Sequence, residues 1–448
     1  MQYGYRKGRL TSDVIQKITT VVRQAEDHES PPIVLLVKLD VRNAFNSVRW
    51  RDVMYLLRIL DDYLSDRKLI YKTGDGQKTM KVTSGLPQGS VLGPDLWNIV
   101  YDSLFRTNMP EGTLLVGYAD DIAVLITARN VRLAQEKLKE VMCTINNWMA
   151  VHSLSLALEK TEIVNLTRKR IDTILSLQVG HYTVKIKPAV KFIGFMIDCK
   201  LSFWAHIQQI AGKAAEELTS PSRLIMEKVI SKLSFGAEVW ADSLDEKAKC
   251  LAQVQRKAAL KIAFAYPTVS ESAILVIANI IPVALIAKER KAVSLRKTVV
   301  GLKVAKQEER ENTFQSWQTS WDHDSEGLWT AKLIKKVRTW AERKYGKIDY
   351  YLTQFLSGHG YFRAYQYMIG QEMTNECWYC PGMIDDVEHT FFNCKHWAKR
   401  KRDLETRIGQ VTPDNVVEKM LRRKERWDQI TTWVHDILRT KELELYSI

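Results

Sequence analysis

Residues Thr113 to Ile126 read TLLVGYADDIAVLI. Two apolar runs, Leu114-Leu115-Val116 and Ile122 to Ile126, flank the short polar tip Tyr118-Ala119-Asp120-Asp121. That pattern predicts a β-hairpin. Working outward, Ile33 to Val37 is another continuous apolar run. It follows two prolines and reads as a buried strand, with Asp40 at its far end. Asp40, Asp120 and Asp121 therefore stand where acids are costly. Clustered carboxylates repel and raise one another's pKa unless a cation neutralises them. Hard oxygen ligands at strand ends suit Mg²⁺, which takes further oxygens from a substrate phosphate. Two such ions, roughly 3.5–4 Å apart, activate an attacking hydroxyl and stabilise a leaving phosphate. Any one of these acids alone reads rather as a turn residue or a helix cap.

Lys plus Arg outnumber Asp plus Glu 66 to 52 over 448 residues, a net charge of +14. Such an excess attracts polyanions, phosphates above all. The 13 Trp and 17 Tyr offer stacking surfaces to bases, although most belong to cores. Six cysteines in a chain this long make no disulfide framework. Cys143, Cys199 and Cys250 are scattered and read as small buried hydrophobes. The N-terminal MQYGYRKGRL has no apolar core of a secretory signal. The longest apolar stretch, Ala273 to Ala287, is interrupted by Asn279 and Pro282 and is too short to span a bilayer. The expectation is a reducing intracellular compartment and no membrane partner.

The first half alternates strand and helix patterns. Helical spacing of Val53, Leu56, Leu57 and Leu60 predicts a helix over Trp50–Leu60. Gly85–Pro94 is a loop, Asp95–Phe105 a helix, and Val131–Leu156 a long helix or helix pair. Thr161–Leu166 and Tyr182–Ile197 read as strands. From about Ser202 helical periodicity dominates. Glu309–Gly327 is polar and reads as a linker. The expected fold is thus an α/β half followed by a mostly α half. Near the C-terminus, Cys377, Cys380, His389 and Cys394 are spaced C-x2-C-x8-H-x4-C, which fits one tetrahedral Zn²⁺. A redox Cys377/Cys380 pair competes, but it leaves His389 and Cys394 unexplained. His396 is an alternative ligand to Cys394. Lys395, Lys399, Arg400, Lys401 and Arg402, with Trp378 and Trp397, read as a nucleic-acid surface or as a solvated helix face.

Five ordered motifs carry a resemblance. LDVRNAFNSV (Leu39–Val48), GLPQGSVLGP (Gly85–Pro94) and YADD (Tyr118–Asp121) resemble polymerase motifs A, B and C of reverse transcriptases. LALEKTE (Leu156–Glu162) resembles motif D, and VKFIGFMID (Val190–Asp198) the primer-grip hairpin. QYGYRKGR (Gln2–Arg9) is similar to the Q-x-G-F-R-x-G-R-S-T motif of LINE-type elements, with Leu10 in place of Ser. TVSESAILVIANIIPVALIAKER (Thr268–Arg290), YYLTQFLSGHGYFRAY (Tyr350–Tyr365) and the Cys/His cluster resemble the region downstream of the polymerase in arthropod ribosomal-DNA-targeting elements. The family is that of non-LTR retrotransposon reverse transcriptases.

The resemblance implies a polymerase palm with partial fingers over 1–200 and a thumb with connecting helices over 201–308. A linker and helical region would occupy 309–365, and a knuckle-like zinc module with basic helices 366–448. It implies that Asp40 and Asp120 bridge two Mg²⁺ ions, assisted by Asp121, and that Lys160 donates a proton to pyrophosphate or neutralises it. Phe45 would exclude a 2′-hydroxyl. Gln88, Gly89 and Tyr118 would lie at the nucleotide, and Arg6 and Arg9 would be remnants of a triphosphate grip. Phe192, Ile193 and Gly194 would position the primer end. The partners implied are an RNA template, a DNA primer or target, and dNTPs, and the implied location is the nucleus, with a possible cytoplasmic pool. The family's endonuclease and most of the fingers would precede Gln2, and the segments after motif A and around Ser220–Trp240 are shorter than the pattern. The chain thus reads as a truncated copy. Two functions follow: an RNA-directed DNA polymerase, or a non-catalytic relic that binds nucleic acid. A redox or hydrolytic enzyme has only the C-x-x-C pair behind it.

Overall fold

The computed structural model describes the chain except residues 29, 52–65, 75, 87–88, 168–175, 220–224, 245–247 and 447–448. Most of the helix expected over Trp50–Leu60, and the site residue Gln88, lie outside the described residues. The chain divides into two compact units, Met1–His206 and Ile207–Ile448.

The first unit begins with helix α1 (Thr11–Glu26), which buries Val14, Ile15, Ile18 and Val22 at helical spacing. Strand β1 (Ile33–Leu39) follows, and all but one of its residues are buried. A continuous apolar run is what such a strand requires, since both its faces meet protein. After the short helix α2 (Ala44–Ser47) comes an exposed ribbon, β2 (Lys68–Thr73) and β3 (Gly76–Lys81). Helix α3 (Gly93–Phe105) starts with Pro94 in its first turn, where a missing N–H costs nothing. The hairpin falls where the sequence predicts it, as β4 (Thr113–Tyr118) and β5 (Asp121–Ala128).

Helix α4 (Val131–Val151) is one helix rather than a pair, capped by the Asn130 side chain accepting from the Leu133 amide at 2.9 Å. The chain then turns back, and Leu156 bridges to Val41. Strands β6 (Glu162–Asn165), β7 (Ser176–Val179) and β8 (Tyr182–Lys187) complete a six-stranded sheet of order β4-β5-β1-β6-β8-β7. A separate hairpin joins β9 (Ala189–Phe192) to β10 (Phe195–Asp198). Leu35, Val37 and Leu39 of β1 share a core with Trp97, Tyr101 and Leu104 of α3 and Val141 and Ile145 of α4. Helices α3 and α4 thus cover one face of the sheet.

The second unit is helical around an aromatic core that includes Trp317, Trp321, Trp340, Phe355, Phe362, Phe391 and Trp433. The expected linker over Glu309–Gly327 is a correction. Most of it belongs to a helix, Leu302–Asp322, that buries Thr313, Phe314, Trp317 and Trp321. Its few apolar residues recur at helical spacing, so a largely polar segment still packs. The long apolar run is split as expected: helix Glu271–Ile277 ends before Asn279, which has φ 58°, and the next begins at Val283 after Pro282. Among the described residues no helix is long and apolar enough to cross a membrane.

Leu125 in β5 is 1% exposed, whereas Ile70 on the ribbon is 57% exposed. Leu125→Ala is expected to cost roughly 2–5 kcal/mol, read as a lower urea midpoint. Ile70→Ala is expected to stay within about 0.5 kcal/mol of the parent.

Candidate active site and metal centre

The antiparallel register of β1 on β5 runs from Ile33 opposite Ala128 to Leu39 opposite Ile122. The next step places Asp40 beside Asp121, at the end of the sheet where the β4–β5 turn holds Asp120. All three acids act on one group beneath them. The buried Tyr101 hydroxyl, 3.4 Å from the Asp120 carbonyl oxygen, is pushed well up by burial and then by Asp120, Asp121 and Asp40. Burial also raises the Asp121 carboxyl, with Asp120 and Asp40 adding to the rise and Lys38 opposing it. A cluster in this state favours a bound cation.

Lys160 lies on this cluster. Its Nζ is 2.9 Å from Asp40 Oδ2, and that hydrogen bond holds its pKa up. The short turn Leu158–Lys160 is placed by the Ala157 amide, which donates to the Asp40 carbonyl at 2.8 Å. Phe45 is half-buried and stacks on Trp97 at 4.8 Å. The following loop docks under it: the Leu86 amide donates to Phe45 O at 2.7 Å and the Gly85 amide to Val48 O at 2.8 Å. Gly85 has φ 88°, and a Cβ there would come within 3.0 Å of the Asn46 backbone, so only glycine fits this approach. Gly89 is exposed, with φ 84°.

The bracing of the hairpin tip escaped the sequence reading. Ala119 has φ 57°, a left-handed conformation that costs a non-glycine residue roughly 1–2 kcal/mol. Its carbonyl accepts two buried hydrogen bonds, from Gln2 Nε2 at 2.8 Å and Trp97 Nε1 at 3.1 Å. The Tyr3 amide donates to Gly117 O at 2.9 Å, and the Gly117 amide to Met1 O at 3.0 Å. Gly4 sits so close to the turn that a Cβ would lie 2.0 Å from the Ala119 nitrogen. The available signal was the Gln-x-Gly spacing, which was read only for its arginines.

Those arginines are engaged elsewhere. Arg6 pairs with Asp102, and Arg9 lies over the Tyr3 ring at 5.5 Å. The β9–β10 turn has Ile193 at φ 43° and Gly194 at φ 89°. Phe192 is fully buried, so its side chain anchors the turn. Ile193 and Gly194 form the tip.

In the second unit the ligand atoms of Cys377, Cys380, His389 and Cys394 all lie within 4.8 Å of one another. The Cys394 sulfur is 3.9 Å from that of Cys377 and 3.8 Å from that of Cys380. A disulfide requires about 2.05 Å. A tetrahedral ion with thiolate arms of about 2.3 Å separates its sulfurs by roughly 3.8 Å. Both His389 ring nitrogens are buried without a hydrogen-bond partner. An orphaned buried polar group costs about 1–3 kcal/mol, and coordination relieves that cost. A third thiol and an imidazole thus complete a four-ligand set that a Cys377/Cys380 redox pair leaves unexplained. His396 stacks on Tyr379 at 3.7 Å, outside the cluster. Trp397 is also a correction. It is 3% exposed and covered by Arg400 at 4.9 Å, so it offers no stacking face. Lys395, Lys399 and Arg402 remain exposed.

Residues 1–197 match the family described as reverse transcriptase (RNA-dependent DNA polymerase), and this part of the chain is a reverse transcriptase domain. The chain is 25% identical, over 97% of its length, to the putative 115 kDa protein in type-1 retrotransposable element R1DM of Drosophila melanogaster, 46% of which it covers. It is 24% identical, over 88% of its length, to the Pol polyprotein from element R1 of Bradysia coprophila, 43% of which it covers. It is 26% identical, over 53% of its length, to the RNA-directed DNA polymerase from the mobile element jockey of Drosophila melanogaster, 27% of which it covers. The chain is therefore related to the non-LTR retrotransposon polymerases of R1 and jockey type, and it spans less than half the length of these three relatives. A telomerase from Candida tropicalis, solved with a fragment of telomeric RNA, overlays 67% of the chain and 52% of its own at 12% identity and a TM-score of 0.35.

The clamp on Ala119 leaves no room for a methyl group at Gly4. Gly4→Ala is expected to cost at least about 1–3 kcal/mol in a thermal melt, since the clash is with backbone.

Proposed function

We propose that this chain is the polymerase core of a non-LTR retrotransposon, extending a DNA primer on an RNA template in the nucleus. The observation that carries the reading is the β1–β5 register that sets Asp40 beside Asp121, with Asp120 at the adjoining tip. Asp40, Asp120 and Asp121 would hold two Mg²⁺ ions. When bound, these supply activation of the primer hydroxyl and stabilisation of the departing pyrophosphate. Phe45, braced on Trp97, would meet a 2′-hydroxyl and so select dNTPs. Lys160 is held at the acids, where it can neutralise pyrophosphate or protonate it. Gly89 and Tyr118 would border the nucleotide, and Ile193 and Gly194 would meet the primer end. In the second unit Cys377, Cys380, His389 and Cys394 would hold one Zn²⁺ ion, with Lys395, Lys399 and Arg402 exposed nearby for nucleic acid.

The second reading, a relic that binds nucleic acid without turnover, draws on the pairing of Arg6 with Asp102, which takes one candidate cation from the triphosphate.

Primer extension on poly(rA)/oligo(dT) with Mg²⁺ separates the two. The polymerase reading expects extension, reduced on the order of 10²–10³-fold or more by Asp120→Asn. Hybrid binding with no extension supports the relic. For the second unit, metal analysis of the purified chain is expected to give one zinc per chain. His389→Ala is expected to lower that content and to speed amide exchange over 366–448.

A further inference from the structure

We propose that Tyr5 is a specificity-determining residue of this site, forming with Phe45 the aromatic wall against which the sugar of the incoming nucleotide is set. This deepens the polymerase reading and rests on it.

Tyr5 has φ 55°. For a bulky residue that conformation is a true outlier, and it persists only where the surroundings impose it. Here they do. The Gln2 side-chain oxygen accepts from the Tyr3 amide at 2.9 Å and the Gly4 amide at 3.1 Å. The other end of the same side chain donates to Ala119 O, and buried Asn98 Nδ2 donates to Gly4 O at 3.0 Å. Residues 2–4 are thus clamped to the catalytic turn, and Tyr5 is the first residue free of the clamp.

The strained backbone does not take the ring into a core. Tyr5 remains 46% exposed, edge-on to Phe45 with centroids 6.2 Å apart and planes at 79°. Along the chain it adjoins the turn: Gly4 packs directly on the Ala119 backbone, and Gln2 is hydrogen-bonded to the Ala119 carbonyl. Tyr5 therefore stands against Phe45, placed to read the sugar, and one residue along the chain from the contact with the turn that carries Asp120. Backbone strain of this kind clusters at ligand clamps, and the half-open ring leaves a face that a ligand can cover. The ring edge offers apolar contact to the sugar carbons, and the hydroxyl offers one hydrogen-bond donor to the nucleotide.

The test uses the full chain on poly(rA) annealed to a dideoxy-terminated oligo(dT), with calorimetric titration of Mg·dUTP and Mg·UTP. These nucleotides pair alike and differ only in the 2′-hydroxyl. Extension of an unblocked primer is followed in parallel. Tyr5→Ala is expected to weaken dUTP binding about tenfold and to narrow the gap between dUTP and UTP, while Tyr5→Phe keeps most of both. Thermal melts confirm that both variants are folded. If Tyr5→Ala binds both nucleotides as the parent does, the proposal is overturned. Binding sensitive to Tyr5, with no extension by the parent, keeps the wall and removes only the turnover reading. A folded parent that binds neither nucleotide overturns both.

Discussion

Seven residue pairs, from Ile33 against Ala128 to Leu39 against Ile122, set β1 beside β5, and the geometry of the carboxylate cluster hangs on that register. A slip by one residue would exchange the two faces of β1. Leu35, Val37 and Leu39 would then leave the core they share with α3 and α4. Both faces of β1 are apolar except at Lys38, which a slip would turn toward that core, so side-chain burial sets the register, far from any chemistry. Its consequence is to bring together acids that repel each other. Hydrophobic packing supplies the free energy that holds them, and Lys38 and Lys160 offset part of the repulsion.

Part of the backbone strain lies in the motif segments. Tyr5, Asn43, Ala119 and Ile193 all have positive φ, and all lie in segments tied by sequence to the site. The Arg42 amide beside Asn43 donates to Ser155 O at 2.8 Å, and Ala119 is held by Gln2 and Trp97. Each strained residue lies beside hydrogen bonds that relaxation would disturb. Such a framework keeps its carboxylates in place without a ligand, which would lower the reorganisation that the proposed reaction needs.

The hairpin and β1 were legible because apolar runs bounded by prolines or acids leave few other readings. The Cys/His set was legible because spacing constrains four ligands at once. Other features depend on what no single-sequence pattern carries. Gln2 and Trp97 act on a backbone carbonyl, so their target has no residue type to betray it. The helix Leu302–Asp322 hides a narrow apolar stripe, Phe314, Trp317 and Trp321, among charged residues, and average polarity masks it. Trp397 sits in a basic run, but the phase of its turn faces it inward, and composition does not encode phase. Strand β7 is four residues long, too short for its alternation to stand out.

The convergence of Asp40 with the hairpin acids is open to one direct measurement. Fe²⁺, with ascorbate and peroxide, cleaves backbone within a few ångströms of where it binds. Bound in place of Mg²⁺, it should cut the chain both near residue 40 and within 118–121, and excess Mg²⁺ should suppress both cuts together. Cleavage at one of these segments without the other would contradict a shared metal site.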